Sequence, residues 1–210
     1  MADTRMVHLV DDDEAIRRSA SFMLRTSGLL VKTYASGDEF LAAAKDTAPG
    51  CILLDVRMPG TDGLEVQRAL KERGILLPVI VMTGHGDVNV AVQAMKAGAV
   101  DFIEKPFEKD VLLGALEQGF LRLEQAGKRH ARGEEAQARL EPLTARELDV
   151  LKGLVQGYPN KTIAYDLGIS PRTVEIHRAN LMTKLGVASL SEALRIAFAA
   201  GLGDEEETEG

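Results

Sequence analysis

Two short apolar runs, each ending in carboxylate, constrain this chain more than any other feature. They are Val7-His8-Leu9-Val10 followed by Asp11-Asp12-Asp13, and Ile52-Leu53-Leu54 followed by Asp55-Val56-Arg57-Met58-Pro59. Runs of this length between helical patterns are those of strands buried on both faces of a parallel sheet. Ligands of open parallel sheets sit beyond the carboxyl ends of the strands. Asp11, Asp12 and Asp55 are therefore expected to converge at one sheet edge. Carboxylates crowded in this way repel one another, and the site calls for a hard cation such as Mg²⁺.

The first part of the chain repeats a β-α pattern five times. The expected strands are Met6–Val10, Leu29–Tyr34, residues 50–56, Leu77–Met82 and Val100–Ile103. The helices between them span Asp13 to Ser27, Ser36 to Ala43, Leu64 to Glu72 and Val88 to Lys96, and a further one begins at Phe107. Asp13 and Ser36 read as N-caps. Such alternation predicts an α/β domain, a parallel sheet covered by helices on both faces, and right-handed crossovers leave few ways to wind it.

Residues 122–142 change character: charges mix and Gly127 and Gly133 interrupt before Pro142. Two readings stay open here. The preceding helix continues, with Leu112, Leu116 and Leu123 in a coiled-coil contact, or the stretch is a solvated linker. From Leu143 the pattern is purely helical. Thr144 and Glu147 form a capping box, Gly168 turns a short helix begun at Asn160, and Ser170-Pro171 caps the next. Two short helices joined through a glycine turn are a helix-turn-helix pattern. The expected domains are 1–121, a partly helical linker 122–142, an all-α four-helix domain 143–202 and a disordered acidic tail 203–210.

The net charge of −7 is unevenly placed: −5 over 1–121, +1 over 122–142, +2 over 143–202 and −5 over 203–210. A mildly basic third segment permits DNA binding, which the total alone would argue against. The one cysteine, Cys51, opens an apolar strand and reads as a small buried hydrophobe. No secretory leader or membrane span is evident, so a cytoplasmic location and no membrane partner are expected.

Thr83 and Lys105 stand at the ends of the fourth and fifth strands, on the same edge as the carboxylates. A hydroxyl and an ammonium beside a divalent cation can hold phosphoryl oxygens. Asp55, at the end of the central strand, is then the natural nucleophile for an aspartyl-phosphate, with Asp11 and Asp12 as metal ligands. A competing reading takes the Asp-x-Asp spacing of residues 11–13 as that of a haloacid-dehalogenase-like phosphatase with Asp11 as nucleophile. That reading leaves Asp55 and the helix-turn-helix without a role.

Residues 5–121 resemble the receiver domain of a two-component response regulator. The matching elements are Asp11-Asp12, Asp55-Val56-Arg57-Met58-Pro59-Gly60, Thr83-Gly84 and Lys105-Pro106-Phe107. The stretches 83–88 and 102–107 are similar in particular to the FixJ-type subgroup. The resemblance implies a flavodoxin-like five-stranded sheet and phosphorylation of Asp55 by a cognate histidine kinase. It implies Mg²⁺ held by Asp11, Asp12, Asp55 and the backbone carbonyl of Arg57, and a cis peptide before Pro106. It pairs Thr83 with Phe102 as a switch, although Phe102 lacks the hydroxyl often found there and also reads as a core aromatic. His85 is given no part in this chemistry.

Residues 143–202 resemble a LuxR/FixJ-type helix-turn-helix domain, on Leu143-Thr144-Ala145-Arg146-Glu147, residues 159–164 and residues 170–177. Val174, Leu181 and Leu185 make a packing stripe. Arg172, Thr173, Glu175, Ile176, Arg178, Ala179 and Lys184 fall on other faces, free for DNA. The three basic residues suit phosphates, Glu175 a cytosine amino group, and Ile176 or Ala179 a thymine methyl. Glu175 also has Arg178 and Arg172 within reach as helix partners, and His177 reads as a packing or phosphate-side residue. Asn160 and Lys161 open the supporting helix, at an N-terminus suited to phosphate.

The expected function is that of a phosphorylation-switched transcription regulator: receiver homodimerisation on phosphorylation, release of the DNA helix, and promoter DNA as partner, with RNA polymerase as a further candidate. A protein-binding output domain is the alternative to DNA binding.

Overall fold

The computed structural model describes residues 5–84 and 88–203. The chain divides into two compact units, Met1–Ala126 and Gly127–Gly210.

In the first unit, β1 (Met6–Val10), β2 (Leu30–Tyr34), β3 (Cys51–Asp55), β4 (Val79–Thr83) and β5 (Asp101–Glu104) form one sheet in the order β2-β1-β3-β4-β5. Every pairing is parallel. Between the strands run α1 (Glu14–Thr26), α2 (Gly37–Ala43), α3 (Gly63–Glu72) and α4 (Val88–Lys96), and α5 (Lys109–Leu140) follows β5. Side chains alternate between the faces of each strand. Ile52, Leu54 and Val81 join Val66, Leu70 and Ala94 of α3 and α4 in one core. Leu53, Ile80 and Met82 join Ala20, Leu24, Leu112 and Leu116 of α1 and α5 in the other. Burial on both faces explains why these strands read as unbroken apolar runs.

β4 begins at Val79 rather than Leu77, because Pro78 has no N–H for a ladder; its carbonyl instead accepts from Ile52 N at 2.8 Å. α5 begins at Lys109 rather than Phe107, three residues after Pro106, whose peptide bond with Lys105 is cis. α5 then continues through Gly127 and Gly133 to Leu140. Two interior glycines cost about 1 kcal/mol each. The strong helix formers between them, and the burial of Ala136 and Leu140 at the far end, offset that cost. The expected coiled-coil seam is not free: Leu112 and Leu116 lie in the receiver-side core with Leu123 packed against it.

The second unit packs α6 (Ala145–Val155), α7 (Asn160–Leu167), α8 (Pro171–Leu185) and α9 (Leu190–Ala199) around one core that includes Ala136 and Leu140. Its helix starts are locally encoded. Thr144 and Glu147 form the capping box, and Ser170 accepts from Thr173 N with Pro171 at the first position. Gly168 ends α7 at φ +64°, a left-handed conformation that sets the tight turn into α8.

Two glycines of α5 separate helix propensity from packing. Gly114 faces open space, whereas a Cβ at Gly119 would lie 2.8 Å from Cys51 Sγ and 3.1 Å from Ile80 Cδ1. Gly114→Ala is expected to stabilise the first unit by about 0.5–1 kcal/mol. Gly119→Ala is expected to destabilise it by roughly 1–3 kcal/mol through overpacking. Denaturant midpoints of the two variants, followed on the first unit's transition, give the comparison.

Candidate functional site

The strand order reverses at β1 and β3, the position where open parallel sheets open a crevice at their carboxyl edge. Val10 pairs with Leu54 there, so the next residues, Asp11 and Asp55, stand side by side. Asp11 is fully buried and Asp55 nearly so, while Asp12 is exposed. Ligand oxygens of the three lie within 4.8 Å of one another. The β3–α3 loop is drawn back over this edge: Gly63 N donates to Val56 O at 2.9 Å, and a Cβ on Gly63 would meet Asp55 O at 2.3 Å. Arg57 lies in that loop between the buried Val56 and Met58.

Lys105 reaches in from the end of β5. Its Nζ donates to Asp11 Oδ2 at 2.7 Å and stands 2.8 Å from Asp55 Oδ1. Burial works against this ammonium, but the hydrogen bonds to Asp11 and Asp55 outweigh it and hold its pKa above the ordinary lysine value. Burial also raises the Asp55 carboxyl, against the pull of Lys105. Asp11 Oδ1 meanwhile accepts from Asp13 N at 2.9 Å. One cation among three carboxylates leaves a surplus of negative charge surrounded by oxygen donors only, the composition a hard divalent ion prefers.

Thr83 ends β4, 2% exposed, and its hydroxyl donates only a long 3.4 Å bond to Gly84 O. Beside it a groove of about 440 Å³ is lined by Thr83, Ala91, Val92, Met95 and Phe102. Phe102 is 40% exposed on its rim, so it is not the core aromatic that was the other reading.

In the second unit Val174, Leu181 and Leu185 are buried, leaving the opposite face of α8 to solvent. Arg172, Glu175, Ile176 and Ala179 are exposed there, as is Lys161 near the start of α7.

Two family models match. "Response regulator receiver domain" covers residues 7–117, and "Bacterial regulatory proteins, luxR family" covers residues 141–197. The chain is 50% identical over 202 residues to the transcriptional regulatory protein FixJ of Azorhizobium caulinodans, covering 96% of each. It is 50% identical to that of Rhizobium meliloti, covering 94% of this chain and 97% of that protein. Among solved structures it resembles the response regulator StyR, with TM-score 0.73 and 37% identity over 93% of this chain and 98% of that one. Full-length FixJ from B. japonicum gives TM-score 0.59 and 44% identity over 94% and 98%.

The chain belongs to the FixJ-like response regulators. It is a two-component regulator of transcription, with a receiver domain and a luxR-type DNA-binding domain. The family is one of transcription regulators, which sets aside the phosphatase reading of Asp11. No helix among the described residues is long and apolar enough to cross a membrane.

The receiver brings Asp11, Asp12, Asp55 and Lys105 to one edge, with Thr83 at the end of the neighbouring strand. Asp13 is the N-cap of α1, accepting from Ala15 N at 2.7 Å, rather than a member of the acidic cluster. Cys51 is fully buried and burial pushes its thiol up to about 12. His85 lies outside the described residues.

In the DNA-binding domain six of the expected contacts, Asn160, Arg172, Thr173, Glu175, Arg178 and Lys184, have partners within the protein. Lys184 is not free for phosphate: its Nζ donates to the buried Glu147 Oε2 at 2.7 Å. Arg178 donates to Asn160 Oδ1 at 2.7 Å, tying α8 to the start of α7. Arg172 pairs with Glu175 at 2.9 Å, at an exposed position where such a pair is worth little. Thr173 shares a 2.8 Å hydrogen bond with Ser170. His177 has a buried Nδ1 without a hydrogen-bond partner among the described residues, which fits a packing role. Tyr165, 88% exposed on α7 one turn from Lys161, and Asn180, exposed one turn from Ile176, lie beside the expected contacts without being among them.

The Lys184–Glu147 pair generates a test. Hydrogen bonds from Lys184 and from Thr144 N hold the Glu147 carboxyl down at about 2. A depressed carboxyl contributes stability above its unfolded value, near 4.5, and loses it as pH falls toward 2. Lys184→Met is expected to cost the second unit about 2 kcal/mol at pH 7 by removing a charged hydrogen bond. The gap from the parent protein should narrow as pH drops below about 4.5, read from urea midpoints at pH 7, 5 and 3.

Proposed function

We propose that Asp55 is the phosphoacceptor of this response regulator and that a cognate sensor histidine kinase is the donor. The observation that carries the reading is the Lys105 ammonium bridging Asp11 and Asp55, with Asp12 alongside. Asp11, Asp12, Asp55 and the Arg57 carbonyl are the residues that would hold Mg²⁺. Bound there, the ion supplies positive charge that offsets the carboxylates as an anionic phosphoryl group approaches. An Asp55 carboxylate oxygen attacks the phosphorus of the kinase phosphohistidine. The P–N bond breaks, its electron pair returns to the imidazole, and the acyl-phosphate P–O bond forms.

Lys105 then shifts from the Asp55 carboxylate to a phosphoryl oxygen while keeping Asp11. Thr83, weakly bonded in the present structure, turns its hydroxyl to another phosphoryl oxygen and vacates part of the groove it lines. Phe102 can turn into that space, and burying its 40% exposed surface favours the move by about 1 kcal/mol. The rim of the groove carries Val92 and Met95, both exposed, and this reshaped α4–β5 face is the proposed receiver homodimer surface. Two joined copies present two recognition helices to related half-sites in promoter DNA, which supplies affinity that one weakly basic module lacks. A cytoplasmic location, and RNA polymerase as the downstream partner on the promoter, complete the reading.

Asp55→Asn is expected to abolish acid-labile phosphate after incubation with kinase, ATP and Mg²⁺. Asp12→Ala is expected to lower the transfer rate roughly 10–100-fold at limiting Mg²⁺, with partial recovery in excess metal. Phe102→Ala should still be phosphorylated, yet remain monomeric by light scattering. Retained phosphate on the Asp55 variant would overturn the assignment.

On DNA, Lys161→Ala is expected to reduce the slope of log affinity against log salt by about 1 and to weaken all sequences alike. Ile176→Ala should leave the slope unchanged and relax preference at one base pair, costing about 1–3 kcal/mol on the best site. Mobility shifts over a salt series separate the two.

A further inference from the structure

A groove of about 480 Å³ runs between the last turns of α5 and α9, within the second unit. Its floor is apolar, from Ala136, Val187, Ile196 and Ala199, and three guanidinium groups line it: Arg132, Arg139 and Arg195. Arg139 donates to Leu185 O at the end of α8 and has a structural task. Arg132 and Arg195 have no hydrogen-bonded partner among the described residues, although Arg195 lies close enough to Glu192 to act on its carboxyl through space. Of the two acids in the lining, Glu192 is committed to the backbone, accepting from Ala188 N at 2.9 Å and Ser189 N at 3.3 Å, which leaves Glu135.

The chain itself carries a matching ligand close by. Residues 204–210, Asp-Glu-Glu-Glu-Thr-Glu-Gly, hold five carboxylates and no cation. They begin five residues after Ala199, which lines the groove. The two walls approach closely at that end: a Cβ on Gly133 would lie 3.5 Å from Ala199 O, so the end of α9 sits against α5 one residue from Arg132. Seven residues reach about 23 Å when extended, whereas Arg195 is only about 6 Å back along α9 from Ala199. We propose that this groove is the docking site of the chain's own acidic segment 204–210, its carboxylates pairing with Arg132 and Arg195 and strapping α9 to the end of α5. Each exposed pair is weak. Tethering supplies an effective concentration on the order of millimolar, and five carboxylates compete for the same two cations.

A spin label tests this in the full chain. Thr208→Cys takes a nitroxide selectively, because the native Cys51 is fully buried. At low salt the label is expected to weaken the amide NMR signals of Gly133 and Ala136 at least about twofold more in the parent background than in Arg132→Ser/Arg195→Ser. The excess should vanish in 0.5 M NaCl, where screening shortens to a few ångströms, and persist on tenfold dilution. Equal broadening in both backgrounds, broadening concentrated on α8 instead, or loss on dilution (a second copy supplying the segment) would each overturn the proposal. Both arginines are exposed, and a circular-dichroism melt matching the parent confirms that the double variant is folded.

Discussion

Everything at the sheet edge turns on the Lys105 ammonium held between two buried carboxylates. Asp11 is fully buried, and a carboxylate at that depth needs charged or hydrogen-bonding partners to offset its lost hydration. Lys105, 2.7 Å from Asp11 and 2.8 Å from Asp55, is that partner for both. The same ammonium is the group best placed to follow charge as it moves outward from Asp55. One lysine therefore both makes the acidic pocket tolerable at rest and links it to the end of β5, three residues from Phe102.

The sheet topology makes that possible. The β2-β1-β3-β4-β5 order sets β1 beside β3 and opens a crevice between them. The register of Val10 with Leu54 then aligns two aspartates from segments more than forty residues apart. β4 and β5 continue on the same side, so Thr83 and Lys105 arrive at the same edge from adjacent strands, with Lys105 N donating to Thr83 O at 2.8 Å. The groove on the α4 side of Thr83 thus shares one residue with the acidic pocket. A change at the carboxylates needs no long pathway to reach an exposed apolar face.

Much of this was legible before any coordinates. Asp11, Asp55 and Thr83 each end an apolar run, and in a doubly covered parallel sheet the end of such a run is a statement about position. The caps at Asp13, Ser36, Thr144 and Ser170 were equally readable, because a side chain bonding the backbone two or three residues on is a local matter. What escaped depends on partners distant in sequence. Lys184 looked like a phosphate contact from its helix position, and only the packing of α6 on α8 reveals Glu147, 37 residues away. Arg178 and Asn160 met in the same way across the turn. The persistence of α5 through Gly127 and Gly133 was undecidable locally, since it is the burial of Ala136 and Leu140 that anchors the far end.

The sealed position of Cys51 has a consequence of its own. Its Sγ faces the Leu116 carbonyl, a Cβ on Gly119 would lie only 2.8 Å from it, and burial pushes the thiol up to about 12, which disfavours the reactive thiolate. Peroxides and disulfide exchange act on accessible thiolates, so this buried cysteine is poorly placed to serve as a redox sensor.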